Sequence, residues 1–529
     1  MKGLALGLLA LAGAGFLPAR EAAAIEFPGA LPGRAEARLW NGEAWLGNRA
    51  LQMRWRLSDG QVRPVQFENR LTGETVPLRD CEAFQVVTAD GRRIPASAFA
   101  MPEKPIVRRL RADAHAARWA ERSAGCEIAA RLESAELGAE ADWRLILRDE
   151  ANAVREELTL RPTHGAIRLQ SLRLVEWPAQ AARVIGTVPG SSLALDHVFA
   201  ACEHPEAQSM VSNQAISEVT LDLTVAPGQS FTLAAAFGAV PPGQMRRGFL
   251  YYVERERAHP YRPFLHYNSW YDICWGDRKI RQAECLDVIE QFGRELIRRR
   301  HVPLAAFVWD DGWDDPRTLW RPMQTNFPHG FSRILERARA CHSTLGFWLS
   351  PFGGYGKPAQ DRLAMGKAAG FETGPHGFSL AGTQYYERFL DTCRGFIDES
   401  GANFFKFDGL ARSVQETEAM LRLTRALRAR KPDLFVSITT GTWPSPYWLW
   451  WGDSTWRGGD DMGFHGPGSK REQWVTYRDL DGGHPLGRRR SWARTGLRLG
   501  ILVPARGHPR AAQPVADSRH AGLGRRRSV

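Results

Sequence analysis

Two rhythms of apolar positions divide the chain. From residue 25 to about 255, short runs alternate apolar and polar side chains, as at 51–57, 143–148, 166–174 and 219–225, with turn residues such as Pro227-Gly228 between them. Period two over many short runs predicts an antiparallel β-sandwich. From about residue 256, strand-like runs at 264–270, 304–309, 345–349, 404–407, 434–438 and 448–451 alternate with helical stripes. Tyr385, Phe389, Cys393, Phe396 and Ile397 form one such stripe, and Cys285, Val288, Ile289, Phe292, Leu296 and Ile297 another. This alternation predicts a parallel β/α fold, and six units favour a (β/α)8 TIM-type barrel over residues 256–479. No glycine-rich dinucleotide turn follows the first strand, which disfavours a doubly wound sheet. Past residue 479 only 497–503 reads as a strand, so the barrel is expected to be incomplete at its C-terminal end. Residues 480–529 are expected to be either a disordered tail or an out-of-frame stretch.

Charge sharpens that division. The chain of 529 residues carries a net charge of +12, but residues 480–529 hold eleven Arg against two Asp. The body is therefore close to neutral, and aromatics are not interleaved with the tail arginines, so nucleic-acid binding is not expected. Seven scattered cysteines lack metal-ligand spacing and cannot all pair with one another; at most one disulfide is expected. Lys2, an apolar run over 4–17 and then Ala22-Ala23-Ala24 read as a signal peptide over residues 1–24. Export to the periplasm or outside the cell is expected, with an uncleaved anchor as the alternative. No later stretch is long and apolar enough to span a bilayer.

Chemistry gathers where the parallel strands end. In Asn403-Phe404-Phe405-Lys406-Phe407-Asp408-Gly409, an apolar run delivers Lys406 and Asp408 to one face, two residues apart. Ligands collect at the carboxyl ends of parallel strands, so this pair reads as a site; a structural ion pair is the other reading. The second strand ends in WDDGW over 309–313, where Asp310 and Asp311 suit sugar hydroxyls and the indoles an apolar ring face. A surface turn or a calcium site would also use paired carboxylates, although calcium needs six or more oxygen ligands. The sixth segment contributes WRGGDD over 456–461. A retaining glycosidase needs two carboxyl groups roughly 5 Å apart, one attacking and one protonating the leaving oxygen. Lys406 would keep Asp408 ionised, and surrounding tryptophan would keep the second carboxyl protonated.

WDDGW, KFDG and WRGGDD, in that order and at those strand ends, resemble the clan of retaining α-galactosidases and α-N-acetylgalactosaminidases, closest to glycoside hydrolase family 36. The resemblance covers about residues 262–478 by motif, and the sandwich by architecture. It implies Asp408 as nucleophile, Lys406 as a contact to a sugar hydroxyl, and Asp310 and Asp311 on the 4- and 6-hydroxyls. It places Trp270 and Trp309 near the ring, Arg457 near the 2-hydroxyl, and the acid/base at Asp460 or, counted from the arginine as in family 27, at Asp461. Gly458-Gly459 precedes the acidic pair where family 36 commonly has Thr-Ser or Val-Ser. The implied activity is hydrolysis of terminal α-galactosyl or α-N-acetylgalactosaminyl-like residues on an oligosaccharide or glycoconjugate, with no metal or organic cofactor. Two alternatives share the motifs: a transglycosylase of the raffinose or stachyose synthase kind, and a truncated sugar-binding relative without catalysis.

Overall fold

A computed structural model describes residues 25–455, except 59, 271, 275–276, 411–412 and 440–442. The period-two region forms antiparallel sheets. One has eight strands, running in space from Arg183–Ile185 through Phe231–Ala239, Ala153–Pro162 and Ala139–Arg148 to the edge strand Ile106–Leu110. A five-stranded sheet is built around Gln214–Val225 and Ile167–Pro178, and a second five-stranded sheet takes the strands from Glu36–Trp40 to Glu74–Pro77 in sequence order. Alternation does what it predicts: along Ala139–Arg148, Ala139, Ala141, Trp143 and Leu145 are buried, while Glu140, Asp142 and Arg144 are partly exposed. The buried faces share one apolar core, which includes Trp55, Trp143, Trp177 and Phe237. These sheets fit a β-sandwich.

A helix, Met245–Glu256, follows the last of these strands and leads to a six-stranded sheet with every pairing parallel. Its strands lie in chain order: His266–Asn268, Ala306–Trp309, Thr344–Leu349, Phe404–Phe407, Phe435–Ile438 and Ser454–Thr455. The crossovers include the helices Gln282–Phe292, Ser332–Arg339, Gly356–Ala368, Thr383–Ser400 and Val414–Arg430. The helix Thr383–Ser400 stops at Gly401, whose φ of 62° is the left-handed position that favours glycine. Ser413 caps Val414–Arg430 by accepting a hydrogen bond from Glu416 N.

The two faces of the sheet differ. Phe307, Trp309, Phe347, Phe405 and Phe407 pack with the helices into a second core. Ala306, Val308, Phe404 and Phe435 form a separate cluster with Phe264 on the other face.

One expectation changes here, and closure of the barrel is not confirmed. The sheet has two edges, so closure into an eight-stranded barrel is not seen among the described residues. The expected strand at 448–451 is instead a short helical turn, Pro446–Trp450, and the sixth strand comes later. Proline at its first position has no N–H to lose, and the Ser445 side chain accepts from Tyr447 N, so this buried aromatic run starts a turn. All seven cysteines are buried free thiols. No helix among the described residues is long and apolar enough to cross a membrane.

Candidate active site

The site is assembled at the carboxyl ends of the second to fifth parallel strands. Register sets its layout: Trp348 pairs with Lys406, and Lys406 with Ser437, so residues two further along, at the ends of the same rows, share a face. Asp408 follows the fourth strand directly, with its N–H donating to Leu349 O. Gly409 then turns the chain away at φ 68°, and a Cβ there would come within 2.1 Å of the Phe352 ring. The glycine of KFDG is thus required both by conformation and by space.

Three neutral donors hold the Asp408 carboxylate. Trp348 Nε1 donates to Oδ2 at 3.0 Å, while Thr439 Oγ1 and Tyr355 OH donate to Oδ1 at 2.9 and 3.2 Å. Burial pushes this carboxyl above its ordinary value, against the Lys406 charge and the hydrogen bonds from Trp348 and Thr439. Lys406 itself forms an ion pair with Asp310, Nζ to Oδ2 at 2.7 Å, with both side chains buried. Its ammonium also lies 5.9 Å from the Trp270 ring centroid. Asp310 is fixed from behind, where its N–H donates to Ser269 Oγ at 2.8 Å.

Asp311 belongs to a second, deeper arrangement. Arg362, fully buried, donates to Asp311 at 3.2 Å, to Asp314 at 2.6 and 2.9 Å and to Gly353 O at 2.9 Å. Its guanidinium also lies 4.6 Å from the Trp320 ring and 5.7 Å from Trp348. Burial raises the Asp311 carboxyl to about 6, with Arg362 pulling the other way.

The structure therefore brings Lys406, Asp408, Asp310 and Trp270 together and adds Trp348, Tyr355 and Thr439. It does not bring Trp309 to them. Neighbours in a strand point to opposite faces, so Trp309 lies in the helix-packed core beside Phe307 and Tyr267. The expectation of Trp309 beside a sugar ring is corrected on that ground. Arg457, Asp460 and Asp461 lie outside the described residues. Among the described residues no cluster of three or more metal-ligating side chains forms. A cavity of about 510 Å³ lies elsewhere, lined by Arg155 and Glu203 of the antiparallel region and by Trp450.

No protein-family model matches the chain, and neither does any curated protein. Solved structures do. An α-galactosidase from Lactobacillus brevis superposes with a TM-score of 0.54 at 13% identity, covering 82% of this chain and 74% of that one. The family 36 α-galactosidase AgaB from Geobacillus stearothermophilus gives 0.55 at 13% identity, over 80% of this chain and 75% of its own. The galactosidase domain of the α-galactosidase-sucrose kinase AgaSK gives 0.55 at 12%, with the same coverage. The chain shares the fold of the family 36 α-galactosidases. At this identity the likeness is one of fold.

Reading the sequence missed Trp348, Tyr355, Thr439 and Arg362. Trp348 reads as one more apolar residue of a buried strand, and only its pairing opposite Lys406 marks it as a site residue. Tyr355 lies in a glycine-rich loop, where Gly353, Gly354 and Gly356 all have positive φ, so no periodicity points to it.

Proposed function

We propose that this protein is a retaining exo-glycosidase that removes terminal α-galactosyl or α-N-acetylgalactosaminyl-like residues from an oligosaccharide or glycoconjugate. The observation that carries the reading is the Asp408 carboxylate, buried at the end of the fourth parallel strand, held by three donors and flanked by the Lys406–Asp310 pair. Its donors and Lys406 favour the charged form against the cost of burial, which is the state a nucleophile needs. In the proposal Asp408 attacks the anomeric carbon, Lys406 and Asp310 bind hydroxyls of the terminal sugar, Asp311 adds a further hydroxyl contact, and Trp270 covers the ring. Asp460, or else Asp461, protonates the leaving oxygen and then activates water, and Arg457 contacts the 2-hydroxyl. Two carboxyl groups and water suffice for this chemistry.

Several further elements belong to the same proposal. The parallel sheet belongs to a (β/α)8-type barrel assigned to residues 256–479 and incomplete at its C-terminal end, preceded by a sandwich domain over 25–255, and residues 1–24 direct export. A fold shared with AgaA from Geobacillus stearothermophilus, solved in complex with raffinose at a TM-score of 0.52, supports an oligosaccharide as the substrate class. Trapping tests the reading: a 2-deoxy-2-fluoro-α-galactosyl reagent should add its glycosyl mass to the peptide that carries Asp408.

A further inference from the structure

We propose that Tyr355, together with Thr439, is a positioning residue that saturates Oδ1 of Asp408, so that Oδ2 is the oxygen that attacks the sugar. The proposal rests on the glycosidase reading and deepens it. An ionised carboxylate oxygen offers two lone-pair sites in its plane. Oδ1 fills both, one from Tyr355 OH at 3.2 Å and one from Thr439 Oγ1, whose single proton has the Asp408 oxygen at 2.9 Å as a nearer acceptor than Phe407 O at 3.2 Å. Among the described residues Oδ2 accepts only Trp348 Nε1, at 3.0 Å, and keeps one site open.

The three donors are held differently. Trp348 is 1% exposed, its backbone carbonyl accepts from Trp313 Nε1, and its indole lies against Arg362. Thr439 is buried, and its own N–H is bound to Phe407 O. Tyr355 is 39% exposed and reaches Asp408 from the loop after the third strand, with its ring edge-on to Phe352 at 5.4 Å. Tyr355 can thus be altered without opening the core. Among the described residues, the charged groups that act most on Asp408 are Lys406, which favours its ionised form, and Asp310, which opposes it.

In the first step an Oδ2 lone pair forms the bond to the anomeric carbon. The bond from that carbon to the leaving oxygen breaks with its electron pair, and a carboxylic acid side chain protonates that oxygen. Oδ1 becomes the ester carbonyl and keeps both donors. In the second step water adds to the anomeric carbon, and the carbon–Oδ2 bond breaks with its pair returning to the carboxylate. The side chain that gave its proton takes one from the water. Donors already aimed at Oδ1 stabilise the charge that returns there.

The test is the pH dependence of kcat/KM for p-nitrophenyl α-galactoside with the full chain and with Tyr355→Phe, Thr439→Ala and Thr439→Ser. A hydrogen bond to the charged form lowers a carboxyl pKa, so removing one raises it, and the acidic limb moves to higher pH. The expected shift is about half to one pH unit for Tyr355→Phe and Thr439→Ala. Thr439→Ser, which restores the hydroxyl, should return the limb to its original place. Thermal melting should show Tyr355→Phe folded like the parent. An active parent whose acidic limb stays put in Tyr355→Phe overturns the positioning role and leaves the glycosidase reading intact. A folded parent with no turnover overturns the glycosidase reading, and this assignment with it.

Discussion

Replacing Arg362 by methionine removes a buried cation and leaves two buried carboxylates behind. In the native protein Asp314 receives two hydrogen bonds from this guanidinium and Asp311 one, and all three side chains are at most 5% exposed. Breaking a buried ion pair from one side costs about 3–5 kcal/mol, because the partner's desolvation is no longer offset. The Asp311 carboxyl already stands at about 6 with Arg362 present, so without it the group rises further. A carboxyl whose folded pKa exceeds its unfolded value, ordinarily near 3.9, contributes stability at low pH that is lost as pH climbs through the folded value. The deficit of Arg362→Met relative to the parent is therefore expected to be about 3–5 kcal/mol at pH 7.5 and to shrink to roughly half at pH 5. Urea unfolding followed by tryptophan emission measures it, since Trp320 and Trp348 lie against this guanidinium. A deficit that is equal at both pH values, or below about 1 kcal/mol at pH 7.5, would refute the reasoning.

The remaining predictions concern one buried acid and two tryptophans. Glu156 lies inside the sandwich with Oε1 accepting from Trp143 Nε1 at 2.6 Å and Oε2 without a hydrogen-bond partner among the described residues, and burial raises it to about 8, opposed by that hydrogen bond. Its charging penalty is absent at low pH and grows as pH rises toward 8, so Glu156→Gln should stabilise the fold by about 4 kcal/mol more at pH 8.5 than at pH 5, as read from denaturation midpoints. Trp270→Ala should raise KM for an aryl α-galactoside with little change in melting temperature. Trp309→Ala should instead cost about 3–5 kcal/mol of stability, because its indole fills the core between sheet and helices.

Much of the site was legible because its residues violate their surroundings. Lys406 interrupts a run of phenylalanines, and only a site or a pair explains a lysine there; the structure shows the pair, with Asp310, and places it at a strand end. The helix Thr383–Ser400 was legible from its apolar stripe. The helix Gly356–Ala368 was not, since it opens with Gly356, Lys357 and Pro358 and buries only Arg362 and Gly366. Trp309 shows a different failure. Proximity in sequence to Asp310 suggested proximity in space, whereas strand alternation sends the two side chains to opposite faces. Trp348 is the converse case: it lies 58 residues from Lys406 in the chain and directly across the ladder from it. Contacts that depend on strand pairing leave no trace in local patterns. Lys406 was expected to sustain the Asp408 charge, and its charge does favour the ionised form, while its ion pair at 2.7 Å is with Asp310 and neutral donors bind the Asp408 oxygens.

The central claim is that Asp408 carries the sugar during turnover. Incubating the full chain with the fluorinated α-galactosyl reagent and mapping the modified peptide by mass spectrometry tests it most directly, with Asp408→Asn as control. The account predicts one added glycosyl group on the peptide containing Asp408 and none on the variant. Labelling of a different carboxylate, or equal labelling of Asp408→Asn, would contradict it.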